Sequence, residues 1–332
     1  MNTRLLIGIA SGLVSGLVLA SAGRGSLPGL IVLFFLSPLP IAITGLGWGW
    51  LSALAAAVSA ALVLAIGIAP KTGLVHLISI GLPIAGLTYL LLLHRPRPAQ
   101  APPRPGTVTA VEWYPVGRVV GAAAFLAGAL SALALVGIGT STAEVEAEVG
   151  TFVERFFAAQ AKLPDSEAAT LGAEERERMT KRLTAYLAPV VASMWLFLAM
   201  LNLWLGGHVA RMSGLLARPW PDLSTIVAPR ELSVGFALAV ALSFLPDFPG
   251  LLASGFATAF MMAYLIVGLA IIHNLTRASP YRPLILFAVY GGAIFLQPLS
   301  GLTLAVLALA EPFLPFRRKG PFDADRPPPP PT

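Results

Sequence analysis

Val116 to Ile138 reads VGRVVGAAAFLAGALSALALVGI. A single charge, Arg118, stands at its third position, and everything after it is apolar or small. As an α-helix the segment rises about 34 Å, enough to cross a hydrocarbon core ~30 Å thick. Nine further runs share its character: Leu5 to Ala22, Leu27 to Ile43, Trp48 to Ala69, Leu74 to Leu93, Leu183 to Leu205, Leu232 to Leu245, Leu251 to Asn274, Leu284 to Leu296 and Leu299 to Leu314. None alternates with period two, and lipid does not tolerate unpaired backbone groups, so the runs are helices and not barrel strands. The expected fold is all-α: a polytopic helical membrane bundle of about ten transmembrane helices, eight to ten.

Composition agrees with this reading. Of 332 residues, 56% are hydrophobic and 11% charged, where a soluble domain carries about 25% charged. That excludes a water-soluble fold. Zero cysteines exclude a disulfide, a thiolate zinc site, an iron–sulfur cluster and a cysteine nucleophile. The net charge of +6 comes from basic residues beside apolar runs, where topology signals belong, so no nucleic-acid partner is expected.

Ten spans put both termini on one side. That side collects Arg4, Arg95, Arg97, Arg104, Arg118, Arg211, Arg218, Arg230, Arg277, Arg282 and the closing cluster Arg317, Arg318, Lys319 and Arg326. Short connections on the other side hold only Arg24 and Lys71. The positive-inside rule therefore predicts that both termini of this multi-pass protein are cytoplasmic. Joining Leu284 to Leu314 into one helix would carry Arg317, Arg318 and Lys319 outside, so a hairpin broken at Gln297 and Pro298 is expected. The shortest run, Leu232 to Leu245, rises only about 21 Å. The first run, with Arg4 before it and Ala20-Ser21-Ala22 at its end, also imitates a cleavable signal peptide; its length and the span that follows favour a retained helix.

Residues 1–94 form an N-terminal four-helix membrane part. A proline-rich cytoplasmic linker, 95–115, carries six prolines and reads as extended and semi-rigid. Residues 116–316 form a six-helix part, and 317–332 a disordered proline-rich tail ending in five consecutive prolines. Inside the second part, 139–182 is a non-cytoplasmic insert. Val145, Val149, Phe152, Phe156 and Phe157 recur at helical spacing, Pro164 interrupts, and Met179, Leu183, Tyr186, Leu187 and Val190 resume the stripe. This predicts a helical hairpin, with Glu174–Arg178 and Glu177–Lys181 as favourable i,i+4 pairs. Its apolar stripe fits the lipid surface or the top of the bundle, or a lid over a site.

Much chemistry is excluded. There is no phosphate loop, and Gly45, Gly47 and Gly49 do not follow a strand. The histidines, His76, His94, His208 and His273, fall at run ends, far apart, and read as interfacial rather than as metal ligands. No ionised residue stands at mid-span, which argues against a proton-driven pump, a voltage sensor or paired-carboxylate catalysis. The expectation is a protein that is not an enzyme, with no catalytic residues, no metal and no cofactor.

Three features remain. Gly8, Gly12 and Gly16 clear one face of the first helix for close approach of another helix, within the chain or on a partner. The uncharged polar groups Asn202, Tyr264 and Tyr290 inside spans, with Ser37 and Gln297 at proline breaks, mark either a substrate pocket or hydrogen bonds between helices. The connection His208 to Arg230, with Arg211, Arg218 and Trp220, suits anionic headgroups or a docked partner.

The stretch Asn202-Leu203-Trp204 through Arg211, then Tyr264-Leu-Ile-Val-Gly268-Leu-Ala-Ile-Ile-His273 and the closing Phe316-Arg317-Arg318-Lys319 resemble the YybS-like family of bacterial integral membrane proteins, a family of unknown function. That family is grouped with the substrate-binding components of energy-coupling-factor vitamin transporters. The resemblance implies a small-solute-binding component of a transporter powered by a separate subunit, whose membrane coupling subunit is met by small residues on the first helix, here Gly8, Gly12 and Gly16. This chain differs from those components in having ten runs instead of six, and an outer insert. The alternative is a structural or regulatory membrane protein that recruits partners through Arg211, Arg218 and the 139–182 hairpin without transporting anything. Either way the lipid bilayer is its first partner, and the resemblance implies that this is a bacterial inner membrane.

Overall fold

A computed structural model describes residues 3–22, 27–96, 111–160, 172–296 and 299–314. Each apolar run is helical. The N-terminal part consists of α1 (Thr3–Ala22), α2 (Leu27–Leu36), α3 (Leu39–Trp48), α4 (Trp50–Gly67), α5 (Pro70–His76), a π-turn (Leu77–Gly81) and α6 (Leu82–Leu92). After it come α7 (Val116–Ile138), α8 (Thr142–Gln160), α9 (Ala173–Met212), α10 (Arg230–Ser243), α11 (Asp247–Leu275), α12 (Arg282–Phe295) and α13 (Leu299–Ala310).

Among the described residues, seven helical segments are long and apolar enough to cross a membrane, and eight if the pair α12 and α13 is one broken span. With that pair the count reaches the low end of eight to ten; it goes no higher because α10 has 14 residues, and because α12 and α13, turned 119° from one another, are too short to cross singly. Residues 297 and 298, where the hairpin break was expected, lie outside the described residues, as do 97–110 of the linker, 161–171 of the insert and the tail from 315.

Proline breaks the second span into α2 and α3. Pro38 and Pro40 remove two backbone donors, and the chain turns at Ser37. Serines of α1 tie the break down from the side: Ser15 Oγ donates to the Ser37 oxygen (2.5 Å) and Ser11 Oγ to the Pro40 oxygen (2.8 Å). At the next corner Gly49, with φ of 99°, lets α3 reverse directly into α4, a conformation that L side chains rarely adopt.

Helix α1 lies along α4 with both chains running the same way. A Cβ on Gly8, Gly12 or Gly16 would collide with the carbonyl oxygens of Ser52, Ala56 or Ala60 in turn. These matched four-residue steps are small on both helices, so van der Waals contact between backbones replaces side-chain interdigitation. The glycine face is thus occupied inside the chain. The other side of α1 presents Leu13, Val14 and Leu17, all exposed and apolar, as lipid-facing residues must be.

Helix α9 is the centre of the bundle, packed against α3, α6, α7, α8 and α11. Its 40 residues rise about 60 Å, roughly twice the hydrocarbon thickness. The second arm of the insert and the following span are therefore one helix. Helix α8 lies along the projecting half, its buried Val145, Val153 and Phe157 facing inward and Arg176 reaching Glu154 at 2.9 Å. The expected Glu177–Lys181 and Glu174–Arg178 pairs form at 2.8 and 3.5 Å. Around α9 the core is built from fully buried alanines, among them Ala123, Ala127, Ala192, Ala199 and Ala263, with Leu196 and Tyr264 as the large members. No Asp, Glu, Lys or Arg is among the buried residues described.

The linker's ends form a short antiparallel ribbon, β1 (His94–Pro96) with β2 (Val111–Trp113), His94 facing Trp113 and Arg95 paired with Glu112 at 2.8 Å. It stands at the end of the bundle where α6 finishes and α7 begins, opposite the α8–α9 projection. Arg118, Arg211, Arg218, Arg230, Arg277 and Arg282 cluster at that same end, called the basic end below.

Candidate functional site

The connection from α9 to α10 is folded back over the basic end. Ser213 and Gly214, the latter with φ of 68°, terminate α9 and turn the chain. Arg218 then reaches the junction of the two membrane parts. Its Nη1 donates to the Leu91 oxygen at 3.1 Å and the Tyr114 oxygen at 3.0 Å, and its guanidinium lies 5.9 Å from the Trp113 ring centre. The Leu91 carbonyl is one that the end of α6 leaves without an intrahelical partner. Arg218 is half-buried, and burial lowers its pKa from the ordinary arginine value; the group stays ionised nonetheless.

Trp220 follows. Its ring lies over Gly207 of α9, where a Cβ would stand 3.1 Å from it. The Arg211 guanidinium sits 5.6 Å from the ring centre, and the His208 ring meets Trp220 edge-on at 5.2 Å while stacking on Trp204 at 5.4 Å. Beyond it, Asp222 accepts a hydrogen bond from Ser224 N (3.1 Å) and one from Arg277 Nη2 (2.5 Å), which ties the connection to the end of α11. The Arg277 hydrogen bond, helped by Ser224, holds the Asp222 carboxyl below the usual carboxylate range.

Under this connection lies a cavity of about 260 Å³. Its walls come from α3 (Leu46), α7 (Val120), α9 (Leu203, Trp204) and the connection (Trp220, Ile226), with Arg218 at its edge. The chamber therefore sits on the seam between the four-helix and six-helix parts, and its walls are almost wholly apolar. It exceeds the ~150 Å³ apolar cavity that takes up benzene. Junctions between structural units are common places for small-molecule sites.

The residues singled out in the sequence are dispersed. Asn202 and Ser37 meet at the α2–α3 break: Asn202 Nδ2 donates to the Phe35 oxygen and to the Leu198 oxygen, both at 2.8 Å. Asn202 Oδ1 is buried with no partner among the described residues. Tyr264 lies on another face, its hydroxyl 2.7 Å from Ser233 Oγ of α10. Tyr290 is on α12, 2.9 Å from His273 Nε2, with Arg282 Nη2 3.4 Å from the other ring nitrogen. Gln297 lies outside the described residues. None of the four described polar residues lines the cavity; Arg218 does, and Arg211 orients Trp220 above it. Gly8, Gly12 and Gly16 serve the α1–α4 contact.

His76 departs from the interfacial position expected of it. It lies about 9 Å along the fourth span, is 3% exposed, and neither ring nitrogen finds a partner among the described residues. The π-turn follows immediately, and Trp195 Nε1 of α9 donates to the Ser79 oxygen within it at 2.6 Å. Among the described residues no three His, Asp or Glu side chains converge to hold a metal ion.

Helices of this length, an alanine-lined core and a lipid-facing exterior define a polytopic helical membrane protein with a small apolar chamber at its basic end. The chain belongs to the family described as predicted membrane protein (DUF2232), whose pattern matches residues 17–310. No curated protein matches it, and no solved structure does.

Proposed function

We propose that this protein is a small-solute-binding membrane component of a transporter powered by a separate subunit, and that it catalyses no reaction itself. The observation that carries the proposal is the apolar chamber between the two membrane parts, walled on one side by the 213–229 connection. The likeness of the Asn202–Arg211 and Tyr264–His273 stretches to the YybS-like family, grouped with the substrate-binding components of energy-coupling-factor transporters, supports the same reading. The Lys and Arg distribution supports both termini, and hence the chamber, on the cytoplasmic side, and the likeness to that bacterial family supports an inner-membrane location. Because α4 occupies the α1 glycines, a membrane coupling subunit docks on another face.

The test is to purify the full chain in mild detergent and identify the small molecules and subunits that accompany it. A bound solute in the native protein, absent from Val120→Phe, whose larger ring enters the chamber, is the expected result. A chain that carries no solute, and whose deletion leaves solute uptake unchanged, overturns the reading in favour of a structural role.

A further inference from the structure

We infer that the chamber takes an amphipathic anion, its apolar body held among Val120, Leu203, Trp204 and Trp220 and its charged head on Arg218. This rests on the reading of the chamber as a solute site and narrows it to a chemical class. The walls decide the first half. They offer almost no hydrogen-bonding surface, so a sugar, an amino acid or another many-hydroxyl solute would bury polar groups without partners.

Arg218 decides the second half. Its Nη1 is held by the Leu91 and Tyr114 oxygens and its face by the Trp113 ring, so the guanidinium is fixed in place rather than trailing into solvent. The edge formed by Nε and Nη2 makes no hydrogen bond to the described residues. Among the described residues no carboxylate pairs with it, whereas Arg277 has Asp222, Arg118 has Glu231 and Arg95 has Glu112. A half-buried cation that lines an apolar chamber, with two parallel N–H donors unbonded among the described residues, matches one carboxylate, phosphate or sulfonate attached to a hydrocarbon body. Two sources supply such a molecule: the membrane itself, as a fatty acid or single-chain phospholipid, and a free amphipathic acid in the cytoplasm.

The full chain in nanodiscs of phosphatidylcholine allows a direct test, because Trp204 and Trp220 line the chamber and bromine quenches tryptophan at short range. The probes are 11-bromoundecane-1-sulfonate and its uncharged counterpart 11-bromoundecan-1-ol. Saturable quenching should favour the sulfonate by about 10-fold or more, as expected for hydrogen bonds to a charged group. Arg218→Gln, which keeps a donor for the Leu91 and Tyr114 oxygens, should erase the preference, and Arg218→Lys should restore part of it. Equal binding of the two probes, or a preference that survives in Arg218→Gln, overturns the inference while leaving the chamber a solute site. No saturable quenching by either probe, with Val120→Phe indistinguishable from the native chain, overturns the solute-site reading as well. Repeating the titration with lysophosphatidic acid in the nanodisc separates the sources: competition assigns the site to a membrane lipid, and its absence to a soluble acid.

Discussion

Asn202 Nδ2 donates to the Phe35 carbonyl oxygen at 2.8 Å across 167 residues of sequence, which joins the central helix to the proline break in the second span. The bond has two companions. Trp195 Nε1 takes the Ser79 oxygen of the π-turn, and Arg218 takes the Leu91 oxygen where α6 ends. At these three places, where the N-terminal helices leave a backbone carbonyl without its usual donor, a side chain from α9 or the connection after it meets the carbonyl. In lipid no water is available to do this, so the irregular N-terminal half and the long α9 require each other.

Replacing Asn202 with Ala should therefore lower stability by about 0.6 kcal/mol, the average for hydrogen bonds between membrane helices, and by no more than about 1.7 kcal/mol. Thermal unfolding of the purified chain in a fixed detergent measures it. Because the second bond of Asn202, to Leu198, lies within α9 itself, the loss should appear mainly as weaker α2–α3 attachment. Faster proteolysis or hydrogen exchange near 35–40 would register that.

Gly12→Leu tests the α1–α4 contact. The new side chain points at the Ala56 backbone, which cannot move aside without bending α4. Overpacking of this kind costs about 1 to 3 kcal/mol, so a lowered unfolding temperature is expected. Leu13→Ala, one residue on and exposed to lipid, should change little. Equal effects from the two would mean that α1 does not lie on α4.

The Asp222–Arg277 pair gives the connection a defined acid response. A carboxyl held below its usual pKa binds its proton more weakly folded than unfolded, so its contribution is complete above the ordinary carboxylate range near pH ~4 and is lost as pH falls through the lower folded value. Trp220 emission should shift on acidification below about pH 4 as the connection loosens. In Asp222→Asn the shift should already be present at neutral pH. A native chain whose Trp220 emission is flat to the lowest pH at which it stays folded would remove this pair from the closure of the chamber.

The helices were legible because the bilayer imposes a length and an apolar composition on whatever crosses it. The hairpin of α8 and α9 was legible for another reason: in water, Val145, Phe157 and the Glu–Lys and Glu–Arg pairs must segregate to opposite faces. The chamber was not. In lipid a leucine facing the membrane and one facing a cavity have the same composition, so Leu46, Val120 and Leu203 carry no sign of their role, and attention fell on the polar residues instead. Arg218 stood out as a cation beside Trp220, but not as the partner of two carbonyls from distant helices. The β1–β2 ribbon was hidden by the prolines around it, which argue for an extended linker and say nothing of its ends pairing. His76 was misplaced because the apolar run begins at Leu74, whereas the helix begins at Pro70 and carries the ring inward.

That inward position makes His76 the sharpest test of the fourth span. A buried imidazole with neither nitrogen satisfied costs the folded state the desolvation of both. If the ring is as solitary as it stands among the described residues, His76→Leu, apolar and close in size, should leave the unfolding temperature unchanged or raise it. Trp195→Phe, by contrast, strips the Ser79 oxygen of its donor and should lower stability by about 1 kcal/mol, with faster exchange through Leu77–Gly81. A clear loss of stability in His76→Leu, matching that of Trp195→Phe, would show that the ring holds something inside the span, such as an internal water, and that the π-turn is shaped around it.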